Sequence, residues 1–304
     1  MYINMLSDYL KEEFGEKIYR LSLNGGMTCP NRDGTCGTKG CLFCSESGAG
    51  EFTPDILLSI DEQIEIAKKL VSDKSTSDKY IAYFQAFSNT YAPIEYLRKL
   101  YYSVIERVDV AVLSIATRPD CLSDDVICLL KELNRIKPVW VELGLQTSNE
   151  NTASLIRRGY SNKVYEEAVI KLKSIGCKII THLILSLPEE TKEDMINSAK
   201  YAGQYSDGIK FHMLYIYKDS DIAELYQNNK IKLINLEEYV DILCECLRVV
   251  PKNAVIHRLT GDGDKSKLLA PLWSANKKIV LREIHNAFKD RDINQGENLI
   301  YNRG

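Results

Sequence analysis

The chain has 304 residues, a net charge of −3, a pI near 5.9 and 45% apolar residues. That length and balance suit one large α/β domain or two smaller ones with a real core, and they carry no global basic signature of nucleic-acid binding. No apolar run reaches the length of a membrane span, so no membrane partner is expected. The opening run MYINMLSDYLKEEFGEKIYR lacks the charged-then-apolar layout of a signal peptide. A cytoplasmic location is therefore expected, where thiols stay reduced and clustered cysteines read as metal ligands before disulfides.

In chain order, Tyr19 to Leu23 predicts a strand that enters a loop rich in cysteine and glycine. Ile60 to Leu70 has helical apolar spacing, with Ser59 or Asp61 as its cap, and Tyr80 to Phe87 reads as a buried strand. Ile94 to Val108 is helical, Val110 to Ala116 a strand, and Leu122 to Asn134 a helix that Ser123 can cap. Val139 to Gln146 is a strand, and Asn162 to Ile175 a helix stopped by Gly176. Cys177 to Leu187 is a strand halted by Pro188, Thr191 to Tyr205 a helix, and Gly208 to Tyr217 a strand. A helix at Leu236–Val249, a short strand at Ala254–Leu259 and a polar tail follow.

Strand and helix thus alternate about six times, with strands apolar on both faces. This predicts a parallel sheet with right-handed crossovers, open or curled into a barrel. No linker or repeat interrupts the series. The expected organisation is a core over 1–250 that includes the cysteine loop, with a C-terminal extension over 251–304 packed on it. Barrels of this kind carry their chemistry at the C-terminal ends of strands. The cysteines, Gln85, Arg118, Gln146 and His182 all fall at such ends.

The loop LNGGMTCPNRDGTCGTKGCLFCSE holds four of the nine cysteines, spaced C-x6-C-x4-C-x2-C: Cys29, Cys36, Cys41 and Cys44. Four thiolates would close a structural zinc site or a fully ligated iron–sulfur cluster. Three on a [4Fe–4S] cluster would leave one iron open for S-adenosylmethionine (SAM). Only Cys41–Cys44 forms a CxxC knuckle, which counts against a zinc ribbon. Phe43, directly before the last cysteine, is an aromatic suited to shield a cluster and flank an adenine. The spacing alone leaves both metals open.

The run CPNRDGTCGTKGCLFC resembles the cluster loop of a bacterial radical SAM family with C-x11-C-x2-C spacing. This is the YtqA/YhcC group, called MnmL in tRNA modification, and it is related to the radical SAM domain of the Elongator catalytic subunit. The resemblance continues through FQAFSNTYAP, SIATRPDCL, VELGLQTSNENT, HLILSLPEET and HRLTGDGDKSKLLAPLW. It implies an α/β fold, a partial (β/α)6 TIM-like radical SAM barrel. It also implies a [4Fe–4S] cluster on Cys29, Cys41 and Cys44, with SAM on the open iron. Cys36 occupies a position the family does not require.

The resemblance further implies a tRNA substrate, changed at the C5 side chain of the wobble uridine from carboxymethylaminomethyl toward aminomethyl. An electron donor such as flavodoxin or ferredoxin and a downstream tRNA methyltransferase are the implied partners. Two alternatives accompany this reading: radical SAM chemistry on another tRNA position or a small molecule, and a zinc-stabilised nucleic-acid-binding module without catalysis.

For the cofactor, the tract Gln85-Ala86-Phe87-Ser88 lies where related enzymes hold the SAM ammonium with a Gly-rich turn. Gln146 resembles the ribose-binding Gln, and its amide can both donate and accept. Arg158, with Arg157 as competitor, resembles the Arg that grips the methionine carboxylate. His182 sits at a ribose-binding position on the fifth strand; a core histidine is the plain alternative. Glu142 and Arg118 are polar residues in apolar strand contexts, where an inward Glu is costly unless paired. They read either as a mutual pair that lines the substrate cavity or as outward-facing, solvated strand ends.

His257 and Arg258, with Gly261, Gly263 and Trp273, are expected either to contact substrate or to cap the barrel. The basic residues Lys265, Lys267, Lys277, Lys278, Arg282, Lys289 and Arg291 read either as a solvated face or as a binding patch. Cys121, Cys128, Cys177, Cys244 and Cys246 are expected in the core, with no second cluster.

Overall fold

The structure is a computed structural model that describes residues 1–299 apart from Ala49, Glu51, Lys74, Thr76 and Asp262. The elements are α1 (Leu6–Phe14), β1 (Tyr19–Leu23), α2 (Ile60–Val71), β2 (Tyr80–Phe84), α3 (Ile94–Ile105), β3 (Val110–Thr117), α4 (Asp124–Asn134) and β4 (Val139–Gln146). They continue with α5 (Glu150–Leu155), α6 (Asn162–Ser174), β5 (Lys178–Leu185), α7 (Lys192–Tyr205), β6 (Gly208–Met213) and β7 (Ile216–Tyr217). The last are α8 (Ile222–Gln227), α9 (Leu236–Arg248), β8 (Val255–Arg258), β9 (Leu268–Ala270) and α10 (Lys277–Asp290).

Seven parallel strands pair in the order β1-β2-β3-β4-β5-β6-β8 and curl into a half-barrel with helices outside. The seventh strand, β8, lies in the segment expected to be an extension. Its first residues complete the sheet beside β6 rather than resting on the outside. A two-stranded antiparallel ribbon, β7 with β9, stands apart. No described helix is long and apolar enough to cross a membrane.

Local chemistry sets the helix boundaries. Ser59 forms a reciprocal capping box with Glu62 at the start of α2, and Thr191 does so with Asp194 at α7. Ser123 caps α4, and Gly176 follows α6 in a left-handed conformation.

Residues two apart on a strand share a face, so the curled sheet has two distinct sides. Outward residues such as Leu21, Phe84, Ile115, Val141 and Leu183 build the main core against the helices. The inner side is layered. Ile81, Val112, Trp140 and Ile180 form an apolar layer that Leu10 of α1 seals, with Leu6, Tyr9 and Phe14 against it. One step toward the strands' C-terminal ends, the same face turns polar: Tyr83, Ser114, Glu142, His182 and Lys210.

The expected polar tail is instead the helix α10. Asn276 caps it, and Val280, Ile284 and Phe288 recur every four residues to bury one stripe. Each such side chain contributes about 1.5–3 kcal/mol on burial, enough to dock a helix whose other faces are charged. The basic residues of this region are dispersed rather than gathered: Arg291 pairs with Asp241, Lys267 with Asp219 and Arg282 with Glu283.

Candidate active site

The cysteine loop leaves β1 and folds back over the C-terminal end of the sheet. Its turns are closed from within: Arg32 and Asp33 N–H donate to the Cys29 carbonyl, and Cys36 N–H donates to Pro30 at 2.7 Å. Side chains then lock it to the barrel. Asn31 Nδ2 donates to the Arg157 carbonyl at 2.6 Å, and Leu42 N–H to the Ile156 carbonyl at 3.0 Å. The Arg32 guanidinium reaches the Ser45 carbonyl and lies 5.5 Å from the Phe87 ring centroid. Phe87 N–H and Ser88 N–H bond to Gly48 and Thr28, so the Gln85–Ser88 tract is tied directly to this loop.

Cys29, Cys41 and Cys44 all line one cavity of about 440 Å³ at this end of the barrel, within the range of small-molecule sites. Phe43, Gln85, Gln146, His182, Arg118, Glu142 and Arg258 line it too. Gln146 is held at a positive φ of 67°, an uncommon conformation for a residue with a side chain and one that recurs at functional sites. Tyr215 and Tyr217 stack with centroids 6.0 Å apart on the same wall. Gly261 and Gly263 pack so closely on these two rings that any Cβ there would overlap them, which fixes this loop beside the cavity mouth.

The cavity floor is charged. Glu142 is 1% exposed, accepts from Ser114 Oγ at 2.8 Å and from Lys210 Nζ, and lies 3.6 Å from Arg20. Burial alone would raise its pKa, but Lys210 first and Arg20 next overcome that and hold it well below the usual carboxylate range. Lys210 is itself pulled down, by burial first and by Arg20 next, while its ammonium sits 4.2 Å from the Tyr83 ring centroid. An ionised Glu142 is the consistent state, because several donors and no competing acceptor converge on it. His182 Nε2 is 2.7 Å from the same carboxylate. Burial first, then the Lys210 charge, lower the His182 pKa to about 4, so the ring is neutral at pH 7. Its Nε2 must then carry the proton, since a carboxylate only accepts.

Three expectations change here. Arg158 is 1% exposed and does not line the cavity. Its Nε donates to Tyr160, Nη1 to the Leu145 and Thr147 carbonyls, and Nη2 to Glu150 and Asn162. A guanidinium has five N–H donors, so none remains for a cofactor carboxylate. Arg157 pairs with Asp221 and is also off the cavity. Second, Glu142 and Arg118 do not pair: Arg118 grips Asp120 with two bonds of 2.9 and 2.6 Å and donates to the Arg158 carbonyl. Third, His257 lies outside the cavity lining, accepting from Arg20 at Nδ1 and packing 5.3 Å from Trp140. Of the cysteines expected in the core, Cys128 is exposed and the other four are buried.

Sequence reasoning missed Arg32, Tyr83, Tyr160, Lys210 and His212. Lys210 and His212 stand two apart in an apolar strand, the same signal that singled out Glu142 and His182.

The donor set fits an iron–sulfur cluster better than zinc. Cys41 and Cys44 are both driven toward the protonated thiol, Cys44 to about 12, by burial first. Such thiols become good ligands only where a metal supplies the missing positive charge. Among the described residues, no three His, Cys, Asp or Glu side chains converge on a single ion. Zinc needs four ligands around one point, whereas a cluster takes each thiolate on a different iron. Cys36 is exposed and off the cavity, which argues against a closed four-thiolate site.

Comparison with known proteins agrees. The Radical SAM superfamily profile matches residues 31–202, and the Radical SAM C-terminal domain profile matches 206–290. The chain is 41% identical to YtqA of Bacillus subtilis over 96% of this chain and 91% of that protein. It is 34% identical to YhcC of Escherichia coli K12 over 96% and 93%. Elongator complex protein 3 of Schizosaccharomyces pombe is 28% identical over 49% of this chain and 28% of its own length. In fold, the chain resembles Elp3 of the archaeon Methanocaldococcus infernus, with a TM-score of 0.68 at 16% identity over 91% of this chain and 64% of that one. The profile match over more than half the chain, and these long alignments, show that the chain belongs to the radical SAM superfamily, with a [4Fe–4S] cluster and SAM as its cofactors.

Proposed function

We propose that this radical SAM enzyme modifies tRNA, acting on the C5 side chain of the wobble uridine and carrying carboxymethylaminomethyl toward aminomethyl. The observation that carries the reading is the meeting of Cys29, Cys41 and Cys44 with a deep cavity that has aromatic walls and a charged floor. The similarity to YtqA, YhcC and Elongator complex protein 3 supports it. Cys29, Cys41 and Cys44 would hold the cluster, which with SAM would supply one-electron chemistry for hydrogen abstraction from substrate.

The chain's own residues bind, orient and exclude water. Phe43 flanks the adenine, Gln146 and His182 serve the ribose, and the Gln85–Ser88 tract receives the ammonium. Arg118 takes the carboxylate role first given to Arg158: it lines the cavity, and its known bonds use three of its five donors. Tyr83, Phe87, Tyr215 and Tyr217 suit a flat base flipped from its stack. A flavodoxin or ferredoxin would supply electrons, a tRNA methyltransferase would act next, and the setting is cytoplasmic.

Anaerobically reconstituted protein, given SAM, reductant and tRNA from a strain lacking this gene, tests the reading. The expected result is 5′-deoxyadenosine together with a mass change at the wobble uridine. SAM cleavage that leaves every tRNA nucleoside unchanged would sink the tRNA substrate and favour a small molecule in the same cavity.

A further inference from the structure

The charges on the cavity floor do not balance. Among the described residues Glu142 is the one carboxylate that lines the cavity, and Lys210 and Arg20 already serve it. Arg258 of β8 adds another cation, in register with Lys210 on β6. It lines the cavity yet has no hydrogen-bond or salt-bridge partner among the described residues. A partly buried guanidinium with five donors is costly to leave without an acceptor.

A second unpaired group lies beside it. His212 also lines the cavity, and its Nε2 is buried without a partner. Its ring is 5.3 Å from His182, and it is held neutral by burial first and by the Arg258 charge next. A neutral imidazole can present Nε2–H as a donor. Behind these two, Arg20 Nε is buried and unpartnered as well. Unsatisfied donors and surplus positive charge on one wall describe a receptor for an oxygen-rich anion. Arg118 and Arg32 do not duplicate it: Arg118, held by Asp120, keeps its two remaining donors for the cofactor carboxylate, and Arg32 is turned to the Ser45 carbonyl.

We propose that Arg258 and His212 receive an anionic group of the substrate, a carboxylate or a phosphate, on the β6–β8 side of the cavity. The assignment deepens the proposed function and rests on it in taking the cavity as the substrate site. Arg258 donates through its planar fork and His212 through Nε2–H, while Glu142 keeps Lys210 from collapsing onto the same anion. Arg258 therefore sets which substrates are accepted.

The test uses the full chain with its cluster and saturating SAM, so that the cofactor's own carboxylate is already placed. Four probes are compared by equilibrium dialysis: 5-carboxymethylaminomethyluridine against 5-aminomethyluridine for the carboxylate, and uridine 5′-monophosphate against uridine for the phosphate. One anionic probe should bind about tenfold tighter than its partner, as charge-assisted bidentate bonds imply. The pair that shows the preference identifies the source. The advantage should vanish in Arg258→Gln and survive in large part in Arg258→Lys, which keeps the charge. Since the Arg258 side chain has no hydrogen bond or ion pair among the described residues, its replacement breaks none of these. Equal binding within both pairs, or a preference that persists in Arg258→Gln, overturns the proposal. If no nucleoside binds at all, the nucleic-acid reading fails, and acetate and inorganic phosphate decide the anion site alone. Thermal stabilisation by either that is lost in Arg258→Gln supports it, and equal stabilisation of both proteins overturns it.

Discussion

Lys210 on β6 directs its ammonium at Glu142 on β4, across His182 of the intervening strand β5, and both charges are almost wholly buried. The pair converts the middle of an apolar barrel into a polar floor directly beneath the candidate site. Removing one partner leaves a charge without compensation in a low-dielectric interior, which costs about 3–5 kcal/mol. The two partners are not equivalent. Glu142 retains Arg20, Ser114 and His182 when Lys210 is lost, whereas losing Glu142 strips the buried Lys210 of its counter-charge and leaves Arg20 with only the neutral His257. Chemical denaturation should therefore show Glu142→Gln near the top of that range and Lys210→Met below it. The double variant should recover part of the loss, and additive losses would contradict the pairing.

The pH dependence of stability follows from the same cluster. His182, His212 and His257 all have folded pKa values below the unfolded value, that of His182 at about 4. Below about pH 6.5 the unfolded chain binds protons at these positions that the folded one refuses. Their contribution is thus present above that pH and lost as pH falls toward the folded values. Glu190 acts oppositely: burial raises its pKa to about 7, so its contribution is greatest at low pH and is lost as pH rises toward that value. Three histidines outweigh one carboxyl. Melting temperature should rise from pH 5 to pH 6.5, and His257→Asn should flatten that rise. A flat or falling profile would show that the histidines are not held neutral.

Arg158 ties the end of β4 to the start of α6 through five bonds. Arg158→Lys cannot reproduce that fork and should destabilise the fold by about 2–4 kcal/mol, since each buried acceptor left unmade costs about 1–3. SAM affinity of the folded, reconstituted variant should stay within about threefold of wild type. A stability unchanged from wild type with SAM binding abolished would return Arg158 to the cofactor.

Much of this was legible in the sequence because strand alternation and capping residues are local signals. Ser123 and Gly176 sit where their chemistry requires. What escaped depends on partners distant in the chain. Arg118 and Arg158 look alike as guanidinium groups near strand ends, and only the fold reveals which has its donors consumed by nearby carbonyls. Glu142 announced a buried partner, but its choice of Lys210 over Arg118 is set by strand register. The helix α10 was hidden because only its stripe of Val280, Ile284 and Phe288 is apolar, among lysines and acids that read as a polar tail.

The central claim is that Cys29, Cys41 and Cys44, and not Cys36, hold a cluster that opens onto the SAM cavity. The most direct test is iron content and 5′-deoxyadenosine release after anaerobic reconstitution of the single Cys→Ala variants. Wild type and Cys36→Ala should each carry about four irons per chain and cleave SAM, while Cys29→Ala, Cys41→Ala and Cys44→Ala lose SAM cleavage and the intact cluster. A Cys29→Ala protein with a full cluster and wild-type SAM cleavage, or colourless wild type with stoichiometric zinc, would contradict it.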